Sequence, residues 1–164
     1  MNAPALIVAN LSHLDLLLPL IRSYHRFEEI DMTDAARVAA VTPLLDSISV
    51  GDRAPGKVWL IERAKVVIGY IAVCYGYSIE FQGRDAFVDE FFLIESARGQ
   101  GIGRQALNFV RSTVAETGIV ALHLEVARSN TRARRFYETL GFTARDRYHL
   151  MSCPLSTQVW ATQE

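Results

Sequence analysis

Three glycines at alternate positions, Gly99, Gly101 and Gly103, follow an apolar run and lead straight into a helical pattern. The run Phe91-Phe92-Leu93-Ile94 reads as the end of a strand. Beyond the glycines, Ile102, Ala106, Val110 and Val114 recur at helical spacing. A strand–loop–helix connection is therefore required here. The first turn of a helix leaves N–H groups without partners and carries the positive end of the helix dipole. Glycines keep side chains off that turn, so an anion can approach those N–H groups closely. The stretch is a phosphate cradle. It is not the dinucleotide fingerprint, because the third glycine is replaced by Arg104 in one frame and by Ala106 in the other. It is not a nucleotide P-loop either, since no Gly-Lys-Ser/Thr ending is present. The pattern it does fill is Arg/Gln-x-x-Gly-x-Gly/Ala, with Arg98, Gly101 and Gly103.

Charge is divided along the chain. Residues 98–164 carry 9 Lys/Arg against 5 Asp/Glu, whereas residues 1–97 carry 8 against 13. A basic half around a phosphate loop suits a polyanionic ligand, and an acidic half suits a cationic one. No basic stripe with interleaved aromatics supports nucleic-acid binding. No apolar run approaches the ~20 residues of a membrane span, and the N-terminus lacks a signal-peptide pattern. Cys74 and Cys153 have no metal-ligand spacing, so no metal is expected, and a reduced cytoplasmic protein is the default. With 164 residues and no linker or repeat, one domain over 1–164 is expected, with a loose tail at 153–164.

Residues 5–9 read as a short buried strand. Ser12 and Asp15 signal a helix start, and Leu14, Leu17, Leu18 and Ile21 mark one helical face. Pro19 should kink or split that helix. Tyr24, His25, Phe27, Glu28 and Glu29 follow, an aromatic and acidic group suited to the wall of an acceptor pocket. A second helix is expected over 34–49, interrupted by Pro43, then a loop over 51–56. Strands are expected over 58–62 and 66–77 around a tight turn, with Gly69 and Gly76 marking bulges or bends. A turn at 82–84 precedes a strand over 85–94. The helix from Gly101 should reach Thr117 and end at Gly118. A strand over 121–126, a helix capped by Ser129 or Asn130 and closed by Gly141, and a last strand over 143–152 complete the pattern. This is an α+β arrangement with a mixed, largely antiparallel central sheet flanked by helices.

The last helix reads Asn130-Thr131-Arg132-Ala133-Arg134-Arg135-Phe136-Tyr137-Glu138-Thr139-Leu140-Gly141-Phe142. It fills every fixed position of Asn-x-x-Ala-x-x-Phe-Tyr-x-x-x-Gly-Phe. With the glycine loop about 30 residues upstream, the stretch from Lys57 to Met151 resembles the GNAT superfamily of acyl-CoA-dependent N-acetyltransferases. The resemblance implies acetyl-CoA as donor and a sheet splayed at the strand carrying Asp89–Ile94. It implies that backbone groups of Phe91, Phe92 and Leu93 meet the pantetheine arm. Arg98, Gly99, Gln100, Gly101, Ile102, Gly103 and Arg104 would surround the pyrophosphate. Asn130 and Ala133 would lie at the pantetheine and Tyr137 at the sulfur, while Arg128, Arg132, Arg134 and Arg135 are candidates for the adenosine-side phosphate. Family members are often dimers, so a homodimer is carried as an expectation.

An amine must be neutral to attack a thioester, so a base is required. Asp89 or Glu90, just before the cofactor segment, fits that role, and strand alternation suggests that only one of them serves. Tyr137 has the right type for the acid on the leaving side. For the acceptor, Tyr24, Phe27, Glu28, Tyr77 and Glu80 join the candidates, and a small cationic amine such as a polyamine, diamine or amino sugar is expected, with the Phe-Phe segment beside paired acids resembling the diamine and polyamine branch. A protein or peptide N-acetyltransferase and a non-catalytic acyl-CoA-binding module are the alternatives. Each residue also has a plain structural account: Asn130 as a helix cap, Tyr137 as a core aromatic, the carboxylates as partners of Arg84 or Arg98.

Overall fold

The computed structural model describes residues 3–46, 54–153 and 155. Its order is β1 (Ala5–Val8), α1 (Leu14–Phe27), α2 (Asp34–Leu45), β2 (Gly56–Arg63), β3 (Val66–Ser78), β4 (Gly83–Leu93), α3 (Ile102–Glu116), β5 (Ala121–Leu124) and α4 (Thr131–Glu138). The strands form one sheet in the order β1-β2-β3-β4-β5. All neighbours are antiparallel except β4 and β5, which run parallel. The tail expected from Cys153 lies outside the described residues, apart from Cys153 and Leu155, which are exposed.

Alternation along the central strands builds two separate cores. On one face Trp59, Ile61, Ile71, Val73, Ala86 and Val88 pack against Ile102, Ala106, Leu107, Val110 and Val114 of α3. On the other, Val58, Leu60, Tyr70 and Ala72 pack against Leu17, Leu20 and Ile21 of α1 and Val41 and Leu45 of α2. β2 and β3 are therefore dry on both sides. Each such side chain contributes roughly 1.5–3 kcal/mol on burial.

Several local expectations are corrected. β1 is an edge strand with Ala5 and Val8 exposed and Leu6 and Ile7 only partly buried, because it pairs on one side only. The start signal belongs to Asn10, which accepts from the Ser12 N–H and hydroxyl and opens a short 3₁₀ turn, Leu11–His13. Pro19 does not split α1, since the helix runs through it unbroken. Pro43 lies inside α2 near its end, and residues 47–49 of that expected helix lie outside the described residues, as do 51–53 of the loop. The turn between β2 and β3 holds Ala64 and Lys65, both at positive φ. Ile68 is an extra residue there, so the bulge adjoins Gly69, while Gly76 pairs regularly with Asp85. The strand expected over 143–152 is not formed: these residues make no ladder with β5.

α1 ends at a sharp left-handed cap. Glu29 has φ 57° and the Ile30 N–H donates to the His25 carbonyl at 2.8 Å. A glutamate in that conformation costs about 1 kcal/mol that glycine avoids. Glu29→Gly should therefore raise the melting temperature by roughly 2–4 °C, measured by thermal denaturation. An unchanged or lower value would mean that the cap is not strained.

Candidate active site

β4 carries the feature that opens the sheet. Ala72 of β3 faces Glu90 while Val73 faces Val88, so Asp89 is an extra, bulged residue. The bulge turns the strand over: Ala86 and Val88 join the α3-side core, but Phe92 joins the α1-side core, and Phe91 and Leu93 now pack on the α3 side. β5 follows β4 only as far as the Val88–Leu124 pair. From Asp89 to Leu93 one edge of β4 therefore has no strand beside it.

Which backbone groups face that gap follows from parity. The Ile94 N–H donates to Ile68 on the β3 side at 2.9 Å. Phe92 shares that orientation, so the N–H and C=O of Phe91 and Leu93 point into the opening. The Leu93 carbonyl already accepts from Arg98 Nε at 2.8 Å. The Arg98 guanidinium also lies over the rings of Phe27, 5.7 Å away, and Phe92, 5.6 Å away, fastening the glycine loop to α1. Within the loop Gly99 and Gly101 have φ 75° and 77°, and nothing lies within 4 Å of a Cβ placed on Gly99. The first intrahelical bond of α3 runs from the Gln105 N–H to the Gly101 carbonyl, so Ile102, Gly103 and Arg104 offer N–H groups with no helical acceptor. Gln100 bonds Ser96 and Arg63 and braces the loop, while Arg104 is committed to Thr139. A cradle of open N–H groups beside an open strand edge is what an acyl-CoA pyrophosphate and pantetheine require, so these residues fit that group.

α4 faces the same opening. Asn130 caps it, its side-chain oxygen accepting from the Ala133 N–H at 3.1 Å, which leaves its amide hydrogens available. Tyr137 is set by its ring contacts with Phe136 and Phe142. Burial, with the charge of Glu28 added, pushes its hydroxyl up to about 12, so it stays a proton-bearing donor.

The bulge also alters the carboxylates. Strand alternation predicts Asp89 and Glu90 on opposite faces, yet both charges act on Tyr24, Tyr70 and Cys74. The extra residue removes the alternation and brings both to the α1 side. Glu90 meets His25 Nε2 at 2.7 Å and the Tyr70 hydroxyl at 2.5 Å. Asp89 is raised above its ordinary value by partial burial of its carboxyl, reinforced by Glu90 and opposed by His25. The Tyr24 hydroxyl is raised by burial and by Glu28, Glu90, Asp89 and Tyr137. Burial, with the charges of Asp89 and Glu90, raises the Cys74 thiol to about 11 and keeps it protonated.

Tyr24, Glu28, Asp89, Glu90 and Tyr137 thus form one electrostatic neighbourhood at the mouth of the opening. Phe27 is 58% exposed and lies under Arg98 on the loop side. Tyr77 and Glu80 stand apart, at and near the β3–β4 hairpin tip, where Glu80 pairs with Arg145 at 2.7 Å. Arg134 pairs with Glu138 and Asp146, Arg128 approaches His149, and Arg132 and Arg135 are exposed. Sequence reasoning left His25 an open candidate and did not single out Tyr70 or Arg37. The signal was present for His25: it lies four residues beyond Ile21 on the buried face of α1, a polar side chain where an apolar one is due.

The chain belongs to the Acetyltransferase (GNAT) family, whose sequence profile matches residues 21–142. It is 31% identical over 88 residues to a thialysine N-epsilon-acetyltransferase of Bos taurus, covering 54% of this chain and 49% of that protein. The chain thus spans about half the length of this curated relative. An integron cassette protein from the mobile metagenome of Cole Harbour Salt Marsh has the same fold, with a TM-score of 0.78, 27% identity and coverage of 94% of this chain and 92% of that one. AAC(6')-Iy in complex with the bisubstrate analog CoA-S-monomethyl-acetylneamine superposes with a TM-score of 0.76 at 17% identity, covering 93% of this chain and 99% of that one.

Because the Asp89 carboxyl holds its proton more tightly folded than unfolded, its ionisation at neutral pH opposes folding. Asp89→Asn should raise the melting temperature at pH 7, and the gain should vanish below about pH 4, the ordinary carboxylate range. Melting curves over pH 3–8 check this; a destabilised variant at pH 7 would show that the carboxylate is stabilising.

Proposed function

We propose that this chain is an N-acetyltransferase that passes the acetyl group of acetyl-CoA directly to a primary amine of a small cationic molecule. The observation that carries the reading is the convergence at one opening: a glycine cradle, an unpaired β4 edge, two carboxylates and a proton-bearing tyrosine. The solved relative bound to a CoA conjugate supports the donor. The relative named for acetylating the ε-nitrogen of thialysine supports an amine acceptor. The acidic mouth made by Glu28, Asp89 and Glu90 favours a cation over a neutral amine.

Acetyl-CoA supplies a thioester whose acetyl group is activated for transfer with release of a thiol. The N–H groups of Ile102, Gly103 and Arg104 hold its pyrophosphate, and Phe91 and Leu93 align the arm as an added strand. The site accepts an ammonium group at its acidic mouth, and Asp89 or Glu90 removes one proton so that the nitrogen lone pair is free. As the C–N bond forms and the C–S bond breaks, N–H groups of the open strand edge can stabilise charge on the carbonyl oxygen. The Tyr137 hydroxyl donates to the departing sulfur. A hydroxyl near pKa 12 is a weaker acid than a thiol near 8.5, so it works mainly as a hydrogen-bond donor. The second nitrogen proton ends on the sulfur, and the first returns to solvent from the carboxylate, which balances the reaction.

Thiol release from acetyl-CoA against diamines, polyamines, amino acids, aminoglycosides and short peptides tests the reading. Release is expected with one small cationic class. Release with peptides alone would make this a protein or peptide N-acetyltransferase, and CoA binding without release would make it a binding module. Tyr137→Phe should lower kcat by roughly 100-fold while the affinity for acetyl-CoA, measured by calorimetry, stays within about twofold. An unchanged kcat would remove Tyr137 from the leaving-group side.

A further inference from the structure

Asp89 and Glu90 are neighbours on one side of the sheet but are held in opposite ways. Both Glu90 oxygens are engaged, Oε1 with His25 and Oε2 with the Tyr70 hydroxyl, and its side chain is 18% exposed. Asp89 reaches solvent and makes no hydrogen bond or ion pair among the described residues. His25 is 4% exposed, and its second nitrogen, Nδ1, lies 3.2 Å from Arg37 Nε. A guanidinium can only donate. Nδ1 must therefore accept, and the imidazole hydrogen must sit on Nε2, aimed at Glu90. Arg37 donates in turn to Asp34 at 2.9 Å, and Asp34 also accepts from Nε and Nη2 of Arg22, at 2.8 and 2.6 Å. A continuous chain of polar contacts runs from the outer surface of α1 and α2 to the catalytic strand.

We propose that His25, oriented by Arg37, is a positioning residue that ties down Glu90 and so leaves Asp89 as the single proton acceptor of the acetyl-transfer site. This rests on the acetyltransferase reading above. A proton taken by Glu90 would displace a buried hydrogen bond from His25 or Tyr70, and an orphaned buried partner is costly. Asp89 has free oxygens on a bulge at the mouth. Glu90 lies beside it on β4, Tyr24 and His25 face it from α1, and Tyr70 and Cys74 from β3. With His25 in its neutral Nε2–H form, that surrounding is acidic or neutral throughout, so it favours proton uptake by Asp89. Asp89 takes one proton from the acceptor ammonium, becomes a carboxylic acid while the nitrogen attacks, and gives the proton to solvent afterwards.

Two measurements on the full chain test this. Imidazole ¹⁵N NMR should show His25 as the Nε2–H tautomer, and Arg37→Met should disturb that signature. In kinetics, His25→Leu should lower kcat by about 10- to 100-fold with the KM for acetyl-CoA within twofold. His25→Gln, whose amide still donates to Glu90, should recover most of the loss. Glu90→Gln removes the negative charge beside Asp89, so the acidic limb of kcat/KM should move to lower pH, whereas Asp89→Asn should abolish that limb together with turnover. Turnover retained in Asp89→Asn but lost in Glu90→Gln would overturn the proposal, as would equal losses of kcat and melting temperature in His25→Leu and His25→Gln. If the unaltered chain acetylates no amine, the acetyltransferase reading falls separately. Carboxyl ¹³C titration of Asp89 then still decides the arrangement: its midpoint should drop in Glu90→Gln, and an unchanged midpoint or an Nδ1–H tautomer for His25 overturns it.

Discussion

Asp89 has no partner of its own on β3, and from that single unmatched residue much of the site geometry follows. An inserted residue reverses the side to which every later side chain points. Phe92 is thereby sent into the α1 core, Phe91 and Leu93 toward α3, and Glu90 onto the same side as Asp89. The same irregularity coincides with the end of β4–β5 pairing at Val88 and Leu124. An opened sheet, a turned-over strand and a pair of neighbouring carboxylates are three results of one insertion.

The opening concentrates groups that a stable fold would otherwise keep apart. Carboxylates at Glu28, Asp89 and Glu90 surround three tyrosines whose hydroxyls are all pushed upward by burial. Three residues around it adopt backbone conformations that a side chain disfavours or only glycine takes easily, Glu29 at the end of α1 and Gly99 and Gly101 before α3. The dry strands β2 and β3, packed on both faces, provide the rigidity that holds such an arrangement in place.

The sequence made the glycine loop and the α4 cap legible, because backbone chemistry dictates residue type there. Glycines at 99 and 101 are favoured by positive φ, whereas a Cβ at 103 would meet Phe91, Leu93 and Phe136 at ordinary contact distance. The Asn130 cap and the Phe136–Tyr137 pair are likewise tied to a local geometry. The acceptor side was harder to read. Its bulge depends on register with β3, which no spacing within β4 reveals, so alternation gave the wrong faces for Asp89 and Glu90. His25 and Arg37 lie on different helices, and their contact is a product of packing. The missing last strand has the same origin: residues 143–152 have strand-like composition, but a strand exists only where a neighbour accepts its hydrogen bonds.

The two cores lie on opposite faces of β2, β3 and β4, and Ile94 packs against both. α3 packs on one face and α1 and α2 on the other, with Arg98 over Phe27 as a side-chain link between the glycine loop and α1. A substitution under α1 or α2 can reshape the space offered to the incoming amine without loosening the floor beneath α3. The architecture behaves as a fixed handle with an exchangeable jaw: one side of the sheet carries the glycine loop and α3, while the other is free to be recut.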